Sequence, residues 1–93
     1  MLDVNEYFNG KVKSIDFQTV TLPATVGVMA PGDYRFDTGQ PETMTVVNGA
    51  LIVKLPNEKD WQTFNAGESF EVAGNLAFDI QVKVDTAYLC TYG

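Results

Sequence analysis

The sequence predicts one all-β domain, a barrel or a two-sheet sandwich, and three observations predict it. Apolar and polar residues alternate in short runs, glycine, proline or asparagine separates those runs, and a helical period is nearly missing. The 93 residues leave room for one core, since a second would need roughly 100 residues of its own. Apolar residues make up 45% of the chain and aromatics 12%, enough nonpolar area to offset the entropy of ordering it. No internal repeat, linker or low-complexity segment divides it, so residues 1–93 are expected to form one unit.

Along the chain, residues 3–8 are the one helical candidate, a short turn. Strands are expected at 11–17, 25–29, 33–38, 43–47, 51–55, 61–64, 69–72, 78–83 and 87–92. Pro31-Gly32, Asn48-Gly49, Pro56-Asn57 and Ala66-Gly67 each place a residue suited to fixed or positive φ between apolar runs. Asn48-Gly49 has the composition of a tight hairpin turn, which predicts that strands 43–47 and 51–55 pair. The segments between strands are too short for parallel crossovers, so the pairing is expected to be antiparallel.

Charge and composition exclude several function classes. Six basic against twelve acidic side chains give a net charge of −6, which repels a nucleic-acid backbone and leaves only small anions as local guests. The N-terminal ten residues carry Asp3 and Glu6 and no apolar run of signal-peptide length, and no membrane span is visible. Cys90 is the only thiol, which closes no internal disulfide and fits a cytoplasmic setting; its apolar neighbours predict a buried core residue. Histidine is absent, so zinc, copper and iron sites of the usual kinds and histidine-based acid–base catalysis are excluded. Catalysis would have to rest on carboxylates, tyrosines, lysines or fixed hydrogen bonds.

Among carboxylates Glu42 stands out, because alternation puts it on one face with Met44 and Val46. It lies either on the apolar side or at the strand's mouth, in water. Tyr34, Phe36 and Thr38 share a face that reads as core packing ending in a polar rim. Gln81 is out of phase with Phe78, Ile80 and Val82, and period alone leaves open which set faces inward. Lys13 with Lys11, and separately Arg35, are either anion contacts or solvated strand charges. Trp61, Tyr88 and Tyr92 offer flat faces for a nucleobase, or else core packing.

The stretch Gly32 to Gly49, with Glu42 seven residues before Gly49, resembles the second half of the first cupin motif. Positions near Phe36, Thr38 and Gln40 carry no histidine, so the metal triad of that motif is missing. Gly67 to Gly74 resembles the opening of the second cupin motif, with Ala73 in place of its proline. Further blocks extend over almost the whole chain: Asn5 to Phe8, Gly10 to Ile15, Gly27 to Met29, Pro41-Glu42, Met44 to Val46, Gly49 to Leu51, Asp60 to Gln62, Gln81-Val82 and Tyr88 to Cys90. Together they resemble the small pyrimidine/purine nucleoside phosphorylase family.

That resemblance implies a single cupin-type β-barrel, a double-stranded β-helix or jelly roll, that cleaves nucleosides with inorganic phosphate as co-substrate and needs no metal or other cofactor. It implies cytoplasmic action and, since cupins commonly pair, a homodimer. Carried onto this chain, Glu42 would bind ribose hydroxyls or stabilise a cationic sugar, and Thr38 and Gln81 would supply neutral hydrogen bonds. Tyr88 or Tyr92 would stack on the base, and Lys13 or Arg35 would meet phosphate. The competing class is a noncatalytic, metal-free cupin that holds a small molecule without turning it over.

Overall fold

A computed structural model of the chain describes residues 2–93. Its strands are β1 Val4–Tyr7, β2 Val12–Gln18, β3 Pro23–Met29, β4 Gly32–Asp37, β5 Glu42–Asn48, β6 Ala50–Lys54, β7 Gln62–Asn65, β8 Ser69–Val72, β9 Ala77–Val82 and β10 Thr86–Tyr92. All nine expected strands are present with ends shifted by two residues at most. Among the described residues there is no helix, and so none long and apolar enough to cross a membrane.

The helical candidate at 3–8 is instead β1, paired with β2 in the register Val4↔Ile15 to Tyr7↔Val12. Tertiary pairing overrides the local signal here. The Asn5 side-chain amide donates to Asp16 Oδ1 at 3.0 Å and to Ser14 Oγ at 3.3 Å, which ties the segment to its neighbour as an extended strand.

The strands form two antiparallel sheets, one of order β1-β2-β3-β10-β5-β8 and one of order β4-β9-β6-β7. Only the connections β1–β2, β2–β3 and β6–β7 stay within a sheet; the other six carry the chain from one sheet to the other. Among the described residues no strand ladder joins the two sheets, so the expected barrel is in hydrogen-bonding terms a sandwich with open edges. Closure requires a continuous register around the ring, and here the chain changes sheets through corners instead.

Asn48-Gly49 is one of those corners. β5 and β6 belong to different sheets and do not pair, so the hairpin expected there is absent. Gly49 has φ of 96°, and a Cβ on it would lie 2.5 Å from Thr86 Oγ1 and 2.9 Å from the Asp85 carbonyl oxygen, so glycine is required by conformation and by space. The Thr86 side chain, fully buried, locks the corner. Its hydroxyl lies 2.9 Å from the Val84 carbonyl and 3.0 Å from the Ala50 carbonyl, and it accepts from the Ala50 N–H at 3.2 Å.

The core lies between the sheets. Val12, Met29, Met44, Val46, Phe70 and Val72 face it from the larger sheet, and Leu51, Val53, Phe78, Ile80 and Val82 from the smaller. Phe70 meets Phe78 edge-on across the gap, with ring centroids 6.1 Å apart. The even-numbered set of β9 therefore points inward, which settles the phase left open by periodicity.

Candidate functional site

At one end of the sandwich the inner face of the larger sheet turns polar. Glu42 opens β5 in the same phase as Met44 and Val46, and the ladder places Tyr92 beside Glu42 and Cys90 beside Met44. Cys90 is buried, as its apolar surroundings predict, yet its thiol donates to Glu42 Oε1 with Sγ 3.4 Å away. Burial raises the Glu42 carboxyl above its ordinary range, opposed by the thiol's hydrogen bond. Burial, reinforced by the Glu42 charge, pushes the Cys90 thiol up to about 12.

The two tyrosines are held neutral in the same way. Burial pushes Tyr88 up to about 12, opposed by the neighbouring Ser14 hydroxyl, and burial raises Tyr92, whose phenol lies 3.0 Å from Thr25 Oγ1. The tip of the Tyr88 ring lies over Gly27 of β3, its ladder partner. A Cβ there would lie 2.7 Å from the phenol oxygen and 2.6 Å from the Lys13 carbonyl oxygen. Glycine is kept at 27 by this close approach.

These groups border a cavity of about 420 Å³, within the roughly 300–1,000 Å³ usual for small-molecule sites. Glu42, Cys90, Tyr88, Tyr92 and Ser14 form its polar side. Phe8, Phe36, Phe78, Met29 and Met44 form the aromatic and thioether side, while Arg35 and Asp37 are the charged lining residues contributed by β4. At neutral pH the thiol and phenols are hydrogen-bond donors, so the site offers a carboxyl group surrounded by neutral O–H and S–H groups. Such an array suits a ligand that carries hydroxyls and gains positive charge during reaction.

The β1–β2 loop closes one side. Phe8 and Asn9 have φ of 55° and 58°, with Gly10 N donating to the Tyr7 carbonyl at 3.2 Å. Asparagine tolerates this left-handed conformation, but a bulky aromatic is held there at a cost of about 1–2 kcal/mol. The Phe8 ring packs on Tyr34, with centroids 4.9 Å apart, and edge-on against Phe36 at 5.5 Å.

Of the residues singled out from sequence, Glu42, Tyr88, Tyr92 and Arg35 line this cavity together. The other three do not. Thr38 is buried, but its hydroxyl is engaged with backbone, 2.7 Å from the Ala73 carbonyl and 3.0 Å from the Leu76 N–H that it accepts. Gln81 points away from the core, beside Trp61 and Asp79 in a shallow depression on the outer face of the smaller sheet. Lys13 is on the outer face of β2, exposed and 3.5 Å from Glu6. Sequence pattern singles out none of Ser14, Phe8 and Asp37, and it marks Cys90 only as a core residue. Ser14 was legible in principle, because outward Lys11 and Lys13 force Val12 and Ser14 inward, whereas Phe8 and Asp37 reach the cavity through loop and edge geometry that no period encodes.

The two antiparallel sheets and their connections define a cupin-like all-β fold. An RmlC-like cupin from Shewanella frigidimarina superposes with a TM-score of 0.77 at 17% identity, covering 98% of this chain and 82% of that one. The sequence profile of the family described as pyrimidine/purine nucleoside phosphorylase matches residues 2–92, and the chain belongs to that family. A pyrimidine/purine nucleoside phosphorylase from Hahella chejuensis is 70% identical over the full length of both chains, and one from Magnetococcus marinus 68%. A solved structure of a protein of unknown function from Vibrio parahaemolyticus has a TM-score of 0.96 at 53% identity, covering 100% of this chain and 99% of its own.

Proposed function

We propose that this chain is a nucleoside phosphorylase that cleaves purine and pyrimidine nucleosides with inorganic phosphate. A phosphate oxygen bonds to C1′ of the ribose, the C1′–N bond breaks, and the base departs with that electron pair and acquires a proton, leaving ribose 1-phosphate. The transition state carries oxocarbenium charge on the sugar. The observation that carries this reading is the carboxyl group of Glu42, set among the neutral donors Cys90, Tyr88 and Tyr92 in a cavity also lined by aromatic and thioether side chains. The names of its full-length relatives support the same activity.

In this reading ionised Glu42 steadies the cationic sugar, and the two phenols donate to ribose oxygens. Arg35, the cation among the described lining residues, meets phosphate after leaving Asp79, to which its Nη1 is now bonded at 3.2 Å on an exposed strand face. Thr38, Gln81 and Lys13 are left without substrate contacts. Aromatic and thioether walls grip a flat base without demanding a particular hydrogen-bond pattern, which accounts for acceptance of both purines and pyrimidines.

The donor set supports chemistry without a metal or other cofactor: there is no histidine, and among the described residues no group of three or more His, Cys, Asp or Glu is placed to hold an ion. The outer face of the larger sheet exposes Ile15, Val26, Val28 and Val47, and a second copy of the chain covering that face is the pairing we propose. A free buried thiol suits action in the cytoplasm.

The deciding experiment mixes pure protein with uridine or inosine, with and without phosphate and EDTA. Free base and ribose 1-phosphate, formed only with phosphate and indifferent to EDTA, are expected. Base release without phosphate would make the protein a hydrolase, and binding without turnover would make it a noncatalytic carrier.

A further inference from the structure

The geometry points to Phe8 as the residue that stacks on the nucleobase and sets how well each ring size is held, a role that rests on the nucleoside reading above. Phe8 is the residue of this cavity whose backbone works hardest to be where it is. Its φ of 55° is one that a phenylalanine rarely adopts, and the loop itself gives no reason for an aromatic there. Asparagine, which follows at position 9, or glycine, which follows at 10, would accept the same conformation with less strain. The ring must therefore be retained for what it touches.

It touches Tyr34 and Phe36 of β4, and it lines the cavity. Several of the remaining aromatic walls are poorly placed to receive a base. Phe78 and Tyr88 are 2% and 5% exposed and packed into the core, while Tyr7, 48% exposed, adjoins Phe8 at the end of β1. Phe8 is 41% exposed, so part of its ring is free. With Phe36 at an interplanar angle of 84°, it makes a corner in which a flat ring can lie on one aromatic face and meet the edge of the other.

The mounting of this wall suits ligands of two sizes. Phe8 sits on the loop of an edge hairpin of the larger sheet, and its contacts reach β4, an edge strand of the smaller sheet, where no ladder joins the two. A loop joined to the opposite sheet by ring contacts moves further than a strand held by backbone bonds. One-ring and two-ring bases are accommodated by displacement of this corner, while Glu42, Tyr88 and Tyr92 stay fixed on interior ladder strands to hold the ribose.

The test is steady-state phosphorolysis of inosine and uridine by wild type, Phe8→Gly, Phe8→Leu and Phe8→Tyr. Phe8→Gly removes the ring and relieves the left-handed strain; Phe8→Leu keeps apolar bulk without a π face. For both, KM is expected to rise roughly 5- to 100-fold, more for inosine, whose larger ring overlaps more area. The kcat should stay within about threefold, because the groups at C1′ are untouched. Phe8→Tyr restores both KM values. A KM within twofold of wild type for both nucleosides in a folded Phe8→Leu would overturn the assignment and leave Phe8 as a clasp between sheet edges. So would a loss of kcat and melting temperature with KM unchanged. Should wild type fail to turn over either nucleoside, the phosphorylase reading falls, and calorimetric titration of inosine into wild type and Phe8→Leu decides Phe8 separately. Weaker binding to the variant sustains its stacking role, and equal or absent binding ends it.

Discussion

Replacing Glu42 with glutamine removes the negative charge from the polar wall while keeping side-chain shape and an oxygen that still accepts from the Cys90 thiol. If the sugar cation forms about 4 Å from the carboxylate, an effective dielectric constant near 20 makes their attraction worth about 4 kcal/mol. At 1.36 kcal/mol per decade that corresponds to roughly a thousandfold in rate, and water reaching the half-buried carboxylate reduces it to an expected loss of about 10²- to 10³-fold in kcat for both uridine and inosine. Stability should move the other way. Burial raises the Glu42 pKa above 4.5, so the folded state binds this proton more tightly than the unfolded chain does. The stability that this group contributes is present below pH 4.5 and is lost as pH rises through the raised folded pKa. E42Q escapes that loss and should melt no lower than wild type at pH 8. Base release followed by chromatography gives kcat, and thermal denaturation monitored by circular dichroism between pH 4 and 8 gives the stability. The wild-type acid limb of kcat should also sit above the ordinary carboxylate range. A kcat within threefold of wild type, in a variant that melts normally, would refute the electrostatic role.

Gly27→Ala places a methyl group 2.6 Å from the Lys13 carbonyl oxygen and 2.7 Å from the Tyr88 phenol oxygen, so Tyr88 must tilt out of its packed position; the expected cost is about 1–3 kcal/mol, read as a lower melting temperature together with a higher KM. Thr86→Val leaves the Ala50 N–H without its side-chain acceptor at the Gly49 corner, and should cost about 1–3 kcal/mol in urea denaturation with little change in kcat. Alkaline stability falls chiefly through Cys90 and Tyr88, raised from 9.0 and 10.0 to about 12 each, with Tyr92, raised by burial, acting in the same direction. Above pH 9 the unfolded chain releases these protons while the folded state keeps them, so stability falls with pH, by roughly 1–2 kcal/mol at pH 10. Cys90→Ala should flatten most of that slope.

The legibility of the site differs residue by residue. Glu42 was readable because its phase matches Met44 and Val46, and alternation is a property of the strand itself. Gln81 was ambiguous for the same reason: period two divides β9 into two faces without naming the inner one, and only contact with the opposite sheet does so. Thr38 looked like a donor to substrate, but its hydroxyl is engaged by the backbone of the Ala73–Leu76 segment, far away in sequence. Lys13 and Arg35 read alike as strand charges, and both side chains face outward, Arg35 to Asp79 at 3.2 Å, although Arg35 also borders the cavity.

By itself the sequence determined the nine main strands, the all-β class and the absence of imidazole, since these follow from local alternation, turn residues and composition. The tertiary structure alone decided that β1 is a strand, that the chain changes sheets at Gly49, and which aromatic and polar groups share the cavity. Six of the nine connections cross between sheets, so the neighbours that give each side chain its surroundings lie far along the chain, where short-range patterns carry no information about them.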